Sequence, residues 1–122
     1  MTTVFVYGTL RKGMSNHHLL KDSKYLGEFR QNVGFDMVDL GAFPALVPYS
    51  GEFPLPVTLE AYEVDDSTLQ SLDRLEGYPS FYNRKLINVK DINGYVYYLN
   101  DNKYNYKHIK NGDWLEYKYN RF

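Results

Sequence analysis

The sequence predicts an α+β domain: a small mixed β-barrel of about six short strands, with two short helices packed outside it. Three observations lead there. Runs rich in Val, Ile, Tyr and Phe recur along the chain, while only two segments carry helix signals. The 122 residues include 13 Tyr and 7 Phe, residues that favour strands. With so few helices to cover it, the sheet must bury one face on itself, which curls it toward a barrel. The length suits one core, so a single domain is expected over residues 1–122.

The elements follow in order. Thr3–Tyr7 is β-branched and aromatic, reads as a buried strand and ends at Gly8. After the loop Gly8–Ser15, the stretch NHHLLKDSKYL predicts a short helix capped by Ser15 or Asn16. Phe29–Val47 alternates loosely, as in two short strands. PALVPYSGEFPLP holds four of the five prolines and reads as a loop or a sheet edge. Val57–Val64 is a clear strand. The strongest helix signal comes next: Asp65 or Asp66 as cap, Leu69, Leu72 and Leu75 on one core-facing side, Gly77 as the stop and Pro79 beyond it. Tyr82–Val89 and Tyr95–Leu99 read as strands joined by Asp91-Ile92-Asn93-Gly94, where Asn-Gly signals a hairpin turn. The tail from Tyr104 is rich in Tyr, Lys and Asn and carries the only Trp, Trp114.

Composition narrows the function. Lys plus Arg number 14 against 15 Asp plus Glu, a near-neutral balance that argues against a nucleic-acid grip. Apolar runs are too short for a membrane-spanning helix, and the N-terminus lacks a secretory pattern, so a cytoplasmic protein is expected. With no cysteine there are no disulfides, thiolate metal sites or cysteine nucleophiles. His17 and His18 are adjacent and cannot serve one metal from one helix face, and His108 lies far away, so no metal site is expected. No G-x-S-x-G elbow is present.

Three segments can carry chemistry. In Tyr7-Gly8-Thr9-Leu10-Arg11 a strand runs into a glycine turn, which can aim consecutive N–H groups at an anion or can simply end the strand. Residues 8–15 also approach a phosphate-binding loop, but Met14 stands where the lysine belongs, which weakens a nucleotide-binding reading. In Leu72–Pro79, Glu76 sits at a helix C-terminus. The helix dipole and partial burial would both raise its pKa, as a general base requires, although a surface glutamate paired with Arg74 or Arg84 fits the same pattern. In Phe81-Tyr82-Asn83-Arg84, Tyr82 and Arg84 share a face and could both bear on Glu76, or could stack on an exposed sheet.

Taken together, YGTLRKGMSNH at 7–17, FPALVP at 43–48 and YEVDDSTLQSLDRLEGYPSFYNR at 62–84 resemble the γ-glutamylcyclotransferase-like (AIG2-like) family, and the first segment and Asn111-Gly112-Asp113-Trp114 resemble its γ-glutamylamine cyclotransferase branch. The resemblance implies a small mixed β-barrel. It implies that Tyr7, Gly8, Thr9 and Leu10 hold a γ-glutamyl group through backbone amides, that Glu76 is the catalytic acid/base, and that Tyr82 lines the pocket. It also implies a small-molecule γ-glutamyl substrate and no cofactor. Leu59-Glu60-Ala61-Tyr62 departs from the Gly-Glu found in many relatives, which bears on pocket size.

The expected reaction is intramolecular: the α-amino group of the substrate attacks its own γ-carbonyl, 5-oxoproline closes and the amine leaves. Because nucleophile and electrophile are tethered, one carboxylate that shuttles protons is enough. The alternative is a non-catalytic protein that binds γ-glutamyl-like molecules or peptide ends in the same pocket.

Overall fold

In the computed structural model the chain runs β1 (Thr2–Val6), one 3₁₀ turn (His17–Leu20), β2 (Lys24–Gln31), β3 (Phe35–Asp39), β4 (Pro44–Pro48), β5 (Val57–Val64), α1 (Asp66–Glu76), β6 (Asn83–Val89), β7 (Ile92–Tyr98), β8 (Lys107–His108) and α2 (Trp114–Tyr119). The structure describes residues 1–49, 51, 55–100 and 106–119. Part of the predicted proline-rich loop (50 and 52–54), 101–105 and the last three residues of the predicted tail lie outside the described residues.

The α+β class stands, with the strands in two sheets. The larger has the order β2-β5-β1-β7-β6 and the smaller β4-β3-β8. β1 pairs antiparallel with β5 and parallel with β7, so it lies at the centre. That position explains the apolar run Val4–Val6, which is buried on both faces. Val4 and Val6 pack with Leu10, Leu20, Val64 and Leu72, while Phe5 and Tyr7 pack with Leu46, Leu59, Val96 and Trp114. Single backbone hydrogen bonds tie the larger sheet to its surroundings, one from just past β7 to β4 and one from β5 to the segment before α2. Leu99 N–H donates to the Leu46 carbonyl (2.9 Å) and Thr58 N–H to the Gly112 carbonyl (2.8 Å). Gly112 has φ +63°, and a Cβ there would fall onto the Pro56 carbonyl oxygen.

α1 begins and ends as its sequence dictates. Asp65 accepts a hydrogen bond from Thr68 N–H at 2.7 Å, and Gly77 takes the left-handed conformation with φ 65°. Leu72 is fully buried, and that alone contributes about 1.5–3 kcal/mol. Leu75 departs from expectation: it is 42% exposed and does not enter the core.

Two other expectations are corrected. The helix predicted over NHHLLKDSKYL is only the 3₁₀ turn, and Asn16 makes no side-chain cap. From Lys24 the chain is strand, because Lys24 and Tyr25 pair with Glu63 and Tyr62 of β5, and that pairing overrides local helix preference. The β6–β7 hairpin turns at Lys90-Asp91, both at positive φ (52° and 67°), with Val89 opposite Ile92. Asn93 and Gly94 lie inside β7. Gly94 is there because a Cβ would come 2.7 Å from Phe5 and 2.9 Å from Thr3. Within the proline-rich stretch, Pro44–Pro48 is an edge strand of the smaller sheet.

Candidate active site

The end of β1, the turn after it, the start of β4, the C-terminus of α1 and the residues leading into β6 enclose a cavity of about 300 Å³. Tyr7, Gly8, Thr9, Leu10, Glu76 and Tyr82 all line it, so the structure brings every predicted site residue to one place. Phe43, Leu75, Phe81 and Tyr97 also line it.

The turn is held in shape from several directions. Arg11 N–H donates to the Gly8 carbonyl at 3.0 Å, and Asn16 donates from its backbone to the Thr9 carbonyl and from its side chain to Thr9 Oγ1, both at 2.9 Å. His17 Nδ1 lies 2.8 Å from the Leu10 carbonyl, which makes it the donor in that pair. Among the described residues, no hydrogen bond occupies the N–H groups of Gly8, Thr9 or Leu10. Gly8 is required by close approach: a Cβ would sit 2.8 Å from Pro44 Cδ.

Glu76 is the last residue of α1 and the only charged side chain among the described residues lining the cavity. Among the described residues its carboxylate forms no hydrogen bond or ion pair, while its backbone carbonyl accepts from Tyr82 N–H at 3.2 Å. Its surroundings remove much of its water although the residue is only half-buried, and this desolvation pushes its carboxyl up to about 7. Arg84 does not bear on it. The Arg84 Nε is 3.3 Å from Asp73 Oδ1, within ion-pair range but not aligned as a hydrogen bond, and the guanidinium lies over Tyr78 and Tyr95.

The tyrosine hydroxyls serve the walls. The Tyr7 hydroxyl donates to the Tyr97 carbonyl (2.8 Å) and accepts from Leu46 N–H (3.1 Å), tying β7 to β4. The Tyr82 hydroxyl donates to the Pro44 carbonyl at 2.8 Å. Burial first, then the negative charge of Glu76, pushes the Tyr82 phenol up, so it stays a donor. Tyr97 donates to Asp73 Oδ1 at 2.7 Å. Tyr7 and Tyr82 therefore line the cavity with their hydroxyls engaged in the protein.

Beneath the turn is a second polar cluster that sequence reasoning missed. Arg11 is 4% exposed and donates to Glu60 Oε2 (2.8 Å), Asp113 Oδ1 (2.8 Å) and Glu28 Oε1 (3.1 Å). Glu60, 3% exposed, also accepts from Lys12 N–H (3.0 Å) and the Tyr62 hydroxyl (2.8 Å). Burial works to raise the Asp113 carboxyl, but Glu116 N–H and the Arg11 guanidinium outweigh it and hold it below the usual range. Glu60, set between Leu59 and Ala61 in the strand VTLEAYEV, was the available signal. Among the described residues, no cluster of three His, Asp or Glu side chains is placed to hold a metal.

The chain is similar to known proteins in sequence and in fold. A relative from Vibrio cholerae is 40% identical over 113 residues, covering 93% of this chain and 95% of its own. The γ-glutamylcyclotransferase family protein YtfP of Escherichia coli K12 is 33% identical over 113 residues, covering 93% and 96%. The crystal structure of an uncharacterized protein from Pyrococcus horikoshii superposes with a TM-score of 0.79 at 30% identity, over 95% of this chain and 92% of that one. Residues 4–116 match the family described as gamma-glutamyl cyclotransferase, AIG2-like, and the chain belongs to that family.

Proposed function

We propose that the protein cyclises the γ-glutamyl group of a γ-glutamyl amine or amino acid to 5-oxoproline and releases the free amine, with Glu76 as general acid/base. One observation carries the reading: among the described residues, a single unpaired carboxylate, pushed up to about 7 by burial, shares an otherwise uncharged cavity with three consecutive backbone amides that no hydrogen bond occupies.

The substrate brings two charges. Its α-carboxylate, or the oxyanion that forms on the γ-carbonyl, is matched by the N–H groups of Gly8, Thr9 and Leu10. Its α-ammonium is matched by Glu76. Glu76 takes a proton from the ammonium and the freed nitrogen attacks the γ-carbonyl carbon. Glu76 then hands that proton to the leaving nitrogen as the C–N bond breaks, takes the second proton from the ring nitrogen and releases it to water. A carboxyl near 7 both accepts and returns a proton at neutral pH, which is what this sequence needs. The tether supplies the orientation, so a covalent nucleophile is unnecessary.

Glu76→Gln tests the proposal. Gln keeps the shape but cannot carry the proton. Formation of 5-oxoproline should fall by about 10²–10⁴ in kcat, with KM little changed. A variant that keeps more than about a tenth of the rate would remove Glu76 from the mechanism.

A further inference from the structure

The outer half of the cavity differs from the inner half. At the inner end stand buried Tyr7, Gly8 and Leu10. At the outer end Phe81 is 51% exposed and Leu75 42% exposed, large apolar surfaces open to water beside a binding cavity. Phe43 completes this rim, edge-on to Phe81 with ring centroids 6.4 Å apart. Among the described residues lining the cavity there is no Lys, Arg or His, and Glu76 is the only acid. Arg84, on the neighbouring strand, is engaged by Asp73.

We propose that the site selects γ-glutamyl amides whose leaving amine is uncharged and apolar, an alkyl or arylalkyl amine whose hydrocarbon part lies on Phe43, Leu75 and Phe81. This rests on the cyclisation reading above and adds the class of its leaving group. Once the γ-glutamyl charges are met by the turn amides and by Glu76, no group among the described residues of the rim is left to meet a further charge. A leaving amino acid or dipeptide would set its carboxylate against aromatic carbon and near the Glu76 charge, with no compensating cation among the described lining residues. A leaving diamine would strip water from its second ammonium, with only the needed Glu76 to receive it. An apolar group instead covers surface that the protein leaves wet.

The balance of the reaction fits such an amine. The N–C bond of the lactam forms and the γ-amide C–N bond breaks. The α-ammonium loses two protons in becoming the lactam N–H. The leaving nitrogen gains one on expulsion and a second in water, so the amine departs neutral across an apolar rim and is protonated outside.

The test is 5-oxoproline formation from five compounds: the γ-L-glutamyl derivatives of methylamine, benzylamine, 1,4-diaminobutane and glycine, and glutathione. The benzylamide should exceed γ-glutamylglycine, the diaminobutane derivative and glutathione by about tenfold or more in kcat/KM. In Phe81→Ala the benzylamide-to-methylamide ratio should fall about tenfold. Equal or faster turnover of γ-glutamylglycine, glutathione or the diaminobutane derivative, or an unchanged ratio in Phe81→Ala, overturns the apolar-amine assignment and leaves cyclisation standing. If none of the five yields 5-oxoproline, cyclisation itself fails. The dissociation constants of the same five compounds, by calorimetry, then decide the class: tighter benzylamide binding supports it, and equal or weaker binding overturns it.

Discussion

Glu60 and Glu76 both border the Gly8–Lys12 turn, and the fold treats them in opposite ways. Glu60 is buried within a full set of donors: the Arg11 guanidinium, Lys12 N–H and the Tyr62 hydroxyl. Glu76 is enclosed by apolar and aromatic walls, and among the described residues no donor reaches its carboxylate. A buried carboxylate with both oxygens engaged acts as a strut, because removing a partner leaves charge stranded. A carboxylate enclosed without donors is held at a cost, and the same enclosure raises its proton affinity into the useful range. The strut fixes the turn that carries the unoccupied amides, while the poised group faces the cavity those amides line.

The difference can be broken first from the strut side. Arg11→Met strands Glu60 in the interior. We expect a loss of about 3–5 kcal/mol in urea unfolding, and Arg11→Lys should recover only part of it, since an ammonium cannot reproduce the guanidinium fork. A loss below about 1 kcal/mol would show that the cluster is worth no more than a surface pair. The turn itself is next. Gly8→Ala pushes a methyl against Pro44, 2.8 Å from its Cδ, and Pro44 also takes the Tyr82 hydrogen bond. That should cost about 1–3 kcal/mol and weaken substrate binding in calorimetry on the folded variant. Unaltered affinity would separate the turn from the site.

The smallest effect has the opposite sign. The folded pKa of Glu76 is raised above its ordinary value, so its contribution to stability is fully present below about 4.5 and is lost as pH rises through about 7. Glu76→Gln removes that loss. The variant should be more stable than the wild type by about 1–3 kcal/mol at pH 8, and the two should converge at pH 4. Melting curves at both pH values check this, and a variant less stable at pH 8 would mean that Glu76 has a cationic partner.

The sequence carried one side of this comparison far better than the other. β5 and α1 were legible because their signals are local: an apolar run in one, and Asp65, spaced leucines and Gly77 in the other. Glu76 was legible because its place at a helix end, beside Gly77 and Pro79, is written in eight adjacent residues. Arg11 was not, since its partners Glu28, Glu60 and Asp113 lie 17, 49 and 102 positions away. The same distance problem hid β2, whose strand character comes from β5 across the sheet. Gly94 misled for a different reason: in Asn93-Gly94 the glycine marks a close approach to Phe5 and the turn lies three residues earlier, at Lys90-Asp91. Leu75 had helical spacing and yet faces the cavity mouth, because periodicity reports a helix face without reporting what that face meets.

The most direct measurement is the titration of the Glu76 carboxyl carbon in the folded protein, followed by 13C NMR with Glu76→Gln to assign the signal. A carboxylate enclosed without donors titrates at about 7, and the acid limb of kcat/KM for 5-oxoproline formation follows the same midpoint. A midpoint at the ordinary 4.5 or below would mean that water or a cation reaches Glu76, and would contradict its role as the poised base of this site.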